Sequence, residues 1–82
     1  MKSSRDNADS SPANLIYQLR QALGLTQEKL AQRLGVSFPT INRWENGRSK
    51  PSPLALKQIE ELVLNLGPKG KHIFQKYFGE SK

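Results

Sequence analysis

Apolar residues recur along this chain at three- and four-residue intervals, with no stretch of the strict alternation that marks a strand. The first such face is Leu15, Ile16, Leu19, Ala22 and Leu23. Ahead of it, Ser11-Pro12 supplies an N-cap and then a proline at the first helical position, where the missing N–H costs nothing. Behind it, Gly24 supplies a left-handed cap, so a first helix should end near Leu23. Leu25 packs in the turn, Thr26 caps a second helix over Gln27 to Leu34 with Leu30, Ala31 and Leu34 inward, and Gly35 closes it. A third helix follows from Ser37 to Asn46, with Ser37 as its cap, Pro39 tolerated in its first turn and Gly47 as its stop. Ile41 and Trp44 point one way on that helix, which leaves Phe38, Asn42 and Arg43 to point elsewhere.

Ser52-Pro53 repeats the cap-plus-proline start. The helix it opens has Leu56, Ile59, Leu62, Val63 and Leu66 on its inner face and Lys57, Gln58, Glu60 and Glu61 on its wet one, and Gly67-Pro68 stops it. After Lys69-Gly70-Lys71, residues Ile73, Phe74, Tyr77 and Phe78 again fall at helical spacing and predict a short fifth helix. Met1 to Ser10 has no periodic apolar residue to dock it on a core. The expected organisation is a disordered arm over 1–11, a helical domain over 12–67, and a short C-terminal helix and tail over 68–82.

Length and charge narrow what such a domain does. The chain has 82 residues and no cysteine, so one domain without disulfides is the limit. A chain of this length buries a core of about 15 to 20 side chains, enough for a helical bundle and marginal for a deep catalytic cleft. The net charge is +6, which attracts polyanions. Its distribution is uneven. Residues 1–12 balance Lys2 and Arg5 against Asp6 and Asp9, whereas residues 13–50 set Arg20, Lys29, Arg33, Arg43, Arg48 and Lys50 against only Glu28 and Glu45. No apolar run approaches the roughly 20 residues of a membrane span, so a soluble, cytoplasmic protein is expected. Catalysis has no candidate residues: there is no Ser/His/Asp set, phosphate loop or inward pair of carboxylates. His72 is the only histidine and, without cysteine or clustered acids, makes no metal site, so no cofactor is expected.

The ordered run Leu23-Gly24-Leu25-Thr26-Gln27, Leu30-Ala31, Leu34-Gly35-Val36-Ser37, Ile41, Trp44-Glu45-Asn46-Gly47 and Pro51-Ser52 resembles the Cro/cI-type helix-turn-helix family of phage repressors and bacterial regulators, over about Leu15 to Val63. The resemblance implies an all-α, lambda-repressor-like bundle of four or five helices, with the helix-turn-helix at residues 27–46. Ala31 agrees with it independently, because a small residue lets the two helices cross closely. A major groove about 12 Å wide admits one helix, and residues near that helix's N-terminus come nearest the base edges.

Carried over by position, the resemblance makes Phe38, Pro39 and Asn42 base-reading residues, and Arg43, beside them, joins them as a candidate. Asparagine pairs with adenine, arginine with guanine or a phosphate, and an apolar ring with a thymine methyl. Phe38 and Pro39 depart from the polar residues common in the family, so either methyl contacts and DNA shape do much of the reading or specificity is modest. Phe38 alternatively folds back as core. Gln27, Thr40, Arg48, Ser49 and Lys50 are the implied phosphate contacts, and Gln27 also buttresses the third helix. Arg20 and Glu45 are implied to form a structural ion pair between the first helix and the end of the third.

The function expected is sequence-specific binding of double-stranded DNA by a bacterial or phage regulator, or by the DNA-binding domain of one. A homodimer on a two-fold operator is the natural partner arrangement, with Ile73, Phe74, Tyr77 and Phe78 serving either as its contact or as closure of the domain's own core. No small-molecule site is evident. The competing readings are an antitoxin or protein-bridging module of the same fold, and the targeting domain of a larger DNA-acting enzyme.

Overall fold

In the structure, a computed structural model that describes residues 11–79, the capping chemistry sets where each helix begins. The helices are α1 (Pro12–Leu23), α2 (Gln27–Leu34), α3 (Phe38–Glu45), α4 (Pro53–Leu64) and α5 (Pro68–Tyr77), and no strand occurs among the described residues. Ser11, Thr26, Ser37 and Ser52 are N-caps in extended conformation, and each side chain accepts a hydrogen bond from the backbone N–H three residues on. Each cap satisfies one donor that the first helical turn leaves orphaned. Apart from Ser11, the expected arm over 1–11 lies outside the described residues, as does the tail from 80 onward.

The ends are as closely determined. Gly35, at φ 72°, donates to the Gln32 carbonyl while Val36 donates to that of Ala31, so two orphan carbonyls of α2 are satisfied within one sharp turn. Val36 is half-buried against the core beneath that turn. The same pair of bonds closes α3, where Gly47 donates to Trp44 and Arg48 to Arg43. Here the residue after the glycine is an exposed arginine, so the cap delivers a cation beside α3 instead of an apolar plug.

The core runs through all five helices. Leu15, Ile16 and Leu19 of α1, Leu30, Ala31 and Leu34 of α2, Ile41 and Trp44 of α3, Ala55, Ile59 and Val63 of α4, and Ile73 of α5 are buried together. Ala31 is 3% and Trp44 5% exposed, both on the inner side as their spacing predicts. The helix α3 is held from two sides, by α2 and by α1, and α5 packs on α1 and α4.

The last helix differs from the sequence expectation at its start. The apolar spacing places Lys69-Gly70-Lys71 ahead of it, but the helix begins at Pro68 and Gly70 lies inside it, buried. A Cβ built on Gly70 would stand 1.8 Å from the Val63 carbonyl oxygen and 2.8 Å from the Leu66 Cβ. The absent side chain is what lets α5 close on the end of α4. Ile73 is buried, and Phe74, Tyr77 and Phe78 are half-buried against the core. The Tyr77 hydroxyl also donates to Oδ1 of Asn14, the one buried polar residue among those described. This patch closes the domain's own core.

Candidate nucleic-acid interface

The helix α3 is amphipathic in an unequal way: Ile41 and Trp44 anchor it, while its remaining positions face outward or toward the start of α2. Phe38, Pro39, Asn42, Arg43, Asn46 and Arg48 line one shallow groove of about 460 Å³ on this outer side. Phe38 is 48% exposed, so its ring belongs to this groove and does not fold back into the core. Arg43, Arg48, Ser49 and Lys50 are exposed, Arg43 on the helix and the other three in the loop after it. Ser37 and Thr40 share a hydrogen bond of 2.8 Å between their hydroxyls at the N-terminus of α3.

Glu45 turns away from this groove. Its Oε2 accepts from Arg20 Nε at 2.7 Å and its Oε1 from Arg20 Nη2 at 3.2 Å, a two-pronged pair whose side chains are 18% and 10% exposed. Arg20 also donates to the Leu25 carbonyl at 3.2 Å and lies over the Tyr17 ring. One guanidinium therefore joins α1, the turn before α2 and the last residue of α3. The ion pair implied by the resemblance is present in the geometry, and it fixes where α3 ends relative to α1.

The electrostatic consequence follows from burial and pairing. The hydrogen bond from Arg20 to Glu45, more than the opposing cost of burial, raises the guanidinium pKa above its ordinary value. A raised folded-state pKa contributes stability at every pH below the unfolded value and loses it only as pH climbs through the folded one. For arginine that window lies in strong alkali, so this contribution of Arg20 is constant across neutral pH.

Gln27 extends the same network toward the groove. Its Nε2 donates to Glu45 Oε1 at 3.0 Å, and its Oε1 accepts from Asn42 Nδ2 at 3.2 Å. Asn42 in turn accepts at Oδ1 from Asn46 Nδ2 at 3.0 Å. The structure thus brings Phe38, Pro39, Asn42 and Arg43 onto one surface with Arg48, links Gln27 to it through Asn42, and leaves Ser49 and Lys50 on the adjoining loop. The sequence reading missed Asn46 as part of this surface. Its signal was available: an asparagine four residues after Asn42 shares its helix face.

Among the described residues, no three or more His, Cys, Asp or Glu side chains gather where a metal ion would be held, and no helix is long and apolar enough to cross a membrane. A second depression, between α4 and α5, is lined by Leu64, Gly67, Gly70, Lys71, Phe74, Gln75 and Gly79 and lies away from the α3 groove.

Sequence comparison finds relatives described as transcriptional regulators. An uncharacterized HTH-type transcriptional regulator of Methanothermobacter thermautotrophicus is 49% identical over 45 residues, 55% of this chain and 65% of that protein. The HTH-type transcriptional activator BcrR of Enterococcus faecalis is 44% identical over 46 residues, 56% of this chain and 22% of that protein. An uncharacterized transcriptional regulator in the ATPase CF(0) region of Rhodospirillum rubrum is 42% identical over 57 residues, 70% of this chain and 53% of that protein. The chain therefore spans from 22% to 65% of the length of these relatives. No solved structure matches it. The helix-turn-helix family model matches residues 16–63, more than half the chain and the whole of α2, the turn and α3, and the chain belongs to the helix-turn-helix family.

Proposed function

We propose that this chain binds double-stranded DNA in a sequence-specific way, with α3 in the major groove and the loop after it on the phosphate backbone, as a transcriptional regulator or as the DNA-binding domain of one. One observation carries the reading. The outer face of α3 and the following loop set Asn42, Arg43, Asn46, Arg48 and Lys50 outward, while Glu45, the one acid from Gly35 to Lys50, is turned inward and neutralised by Arg20. A face of hydrogen-bonding and cationic groups with its only carboxylate withdrawn suits a polyanion whose base edges carry donors and acceptors.

In this reading Asn42 pairs with a base, adenine by its donor-acceptor pattern, and Arg43 with guanine or a phosphate. Phe38 and Pro39 supply apolar contact to thymine methyls and respond to groove shape. Thr40, Arg48, Ser49 and Lys50 hold phosphates and set register without reading sequence, while Gln27, its side-chain amide bonded to Glu45 and Asn42, buttresses α3. A single domain reads one half-site, so a two-fold homodimer would pair half-sites about 34 Å apart.

The test is binding of labelled duplex followed over a salt series. The expected result is an affinity tighter than about 100 µM for any duplex at physiological salt, with log affinity falling linearly against log salt. Arg43→Ala, Arg48→Ala and Lys50→Ala should each reduce that slope by roughly 0.9 if the side chain neutralises one phosphate. A protein that stays folded and shows no salt-dependent duplex binding would contradict the reading.

A further inference from the structure

The side-chain amides of Gln27, Asn42 and Asn46 form a chain that begins at a carboxylate, and that end determines its direction. An ionised carboxylate only accepts. Glu45 Oε1 therefore obliges Gln27 to turn its NH2 group inward, at 3.0 Å, and to face Asn42 with its carbonyl oxygen. That oxygen accepts, so Asn42 must offer Nδ2 to it, at 3.2 Å, and present Oδ1 to the other side. There Asn46 donates Nδ2 at 3.0 Å. Reversing any one amide would set oxygen against oxygen or nitrogen against nitrogen at the next link.

We infer that Asn46 is a positioning residue for base recognition: it holds the outer end of an amide chain whose direction starts at Glu45, and so fixes how Asn42 faces a base. The inference rests on the DNA-reading function proposed above and deepens it. Asn42 spends one N–H on Gln27 and one lone pair on Asn46, so it retains one N–H and one lone pair. That is what adenine requires, since its N7 accepts and its N6 amino group donates. Guanine offers two acceptors at the same edge and would meet the remaining lone pair of Asn42 with its own. Because both ends of the Asn42 amide are held, donor and acceptor keep fixed sides and are ordered before DNA arrives. Asn46 lines the same groove as Asn42 and is itself exposed, so its contribution is made at the outer end of the chain.

The experiment is selection of bound sites from a random duplex pool with the wild type, Asn42→Ala and Asn46→Ala, with melting of each protein and side-chain amide NMR spectra as companions. Asn46→Ala leaves the Arg20–Glu45 pair untouched and keeps the backbone N–H that caps α3. The expected result is that Asn42→Ala abolishes the preference at one base pair, and that Asn46→Ala weakens it at the same base pair by about fivefold, within the range a bidentate contact supplies. Other positions, the salt slope and the melting temperature should stay as in the wild type. In the free protein the Asn42 and Gln27 side-chain amide signals should shift together in Asn46→Ala. A folded Asn46→Ala protein with the wild-type preference at that base pair would overturn the inference while leaving DNA reading intact. A wild type that enriches no motif would overturn the DNA-reading function itself, and this inference with it.

Discussion

The Glu45 carboxylate touches both Arg20 and Gln27, so its removal acts on the fold and on the groove together. Glu45→Ala leaves a mostly buried guanidinium without its counter-charge. Fully buried pairs lose about 3–5 kcal/mol when broken and exposed ones less than about 1, and this pair, at 18% and 10% exposure, lies between. The expected loss is about 2 kcal/mol, a fall of roughly 10 °C in melting temperature for a domain of this size. Calorimetry or thermal circular dichroism checks it, and unchanged melting would show that the pair contributes nothing. Tyr77→Phe acts on a second polar contact. It removes the hydroxyl that donates to buried Asn14, across the contact between α1 and α5, and should cost about 1 kcal/mol in denaturant unfolding.

Gly70 governs how two elements meet. With a Cβ at that position only 1.8 Å from the Val63 carbonyl, Gly70→Ala forces α5 away from α4, and flexible side chains have no part in relieving it because the obstacle is backbone. The expected cost is at least the 1–3 kcal/mol typical of overpacking, about that or more, despite the gain in helix propensity. Urea unfolding measures it, and a stability equal to the wild type would mean that α5 is not packed as described. This glycine also shows where sequence reasoning stops. The caps Ser11, Thr26, Ser37 and Ser52 and the turn at Gly35 are local chemistry, with every bond within five residues, and the sequence alone locates the first four helices from them. Gly70 instead answers a contact between α4 and α5, and between two lysines it reads as a break. The same holds for the groove. Apolar spacing separates Ile41 and Trp44 from Asn42 and Arg43, but it carries no trace of Gln27 reaching Asn42 fifteen residues away. An aromatic at the first turn of a helix suits core or surface alike, and only the packed structure sets Phe38 on the surface.

At the scale of the whole molecule, the domain is a frame that holds one short helix outward. The helix α3 has eight residues and would not persist alone. Its position is enforced by Ile41 and Trp44 in the core, by its packing on α1 and α2 and by Arg20 at its end, so the surface it offers is held by the whole bundle. Charge follows the same division, since Arg43, Arg48 and Lys50 lie at or beside α3 while the acid of that segment is withdrawn. In the proposed function this presented helix reads base sequence, with Asn42 as its principal reader. Enrichment of bound duplexes from a random pool, by the wild type and by Asn42→Ala, tests it most directly. A defined motif is expected for the wild type, and loss of preference at one base pair for the variant. No enriched motif for the wild type, or an identical motif for a folded Asn42→Ala protein, would contradict it.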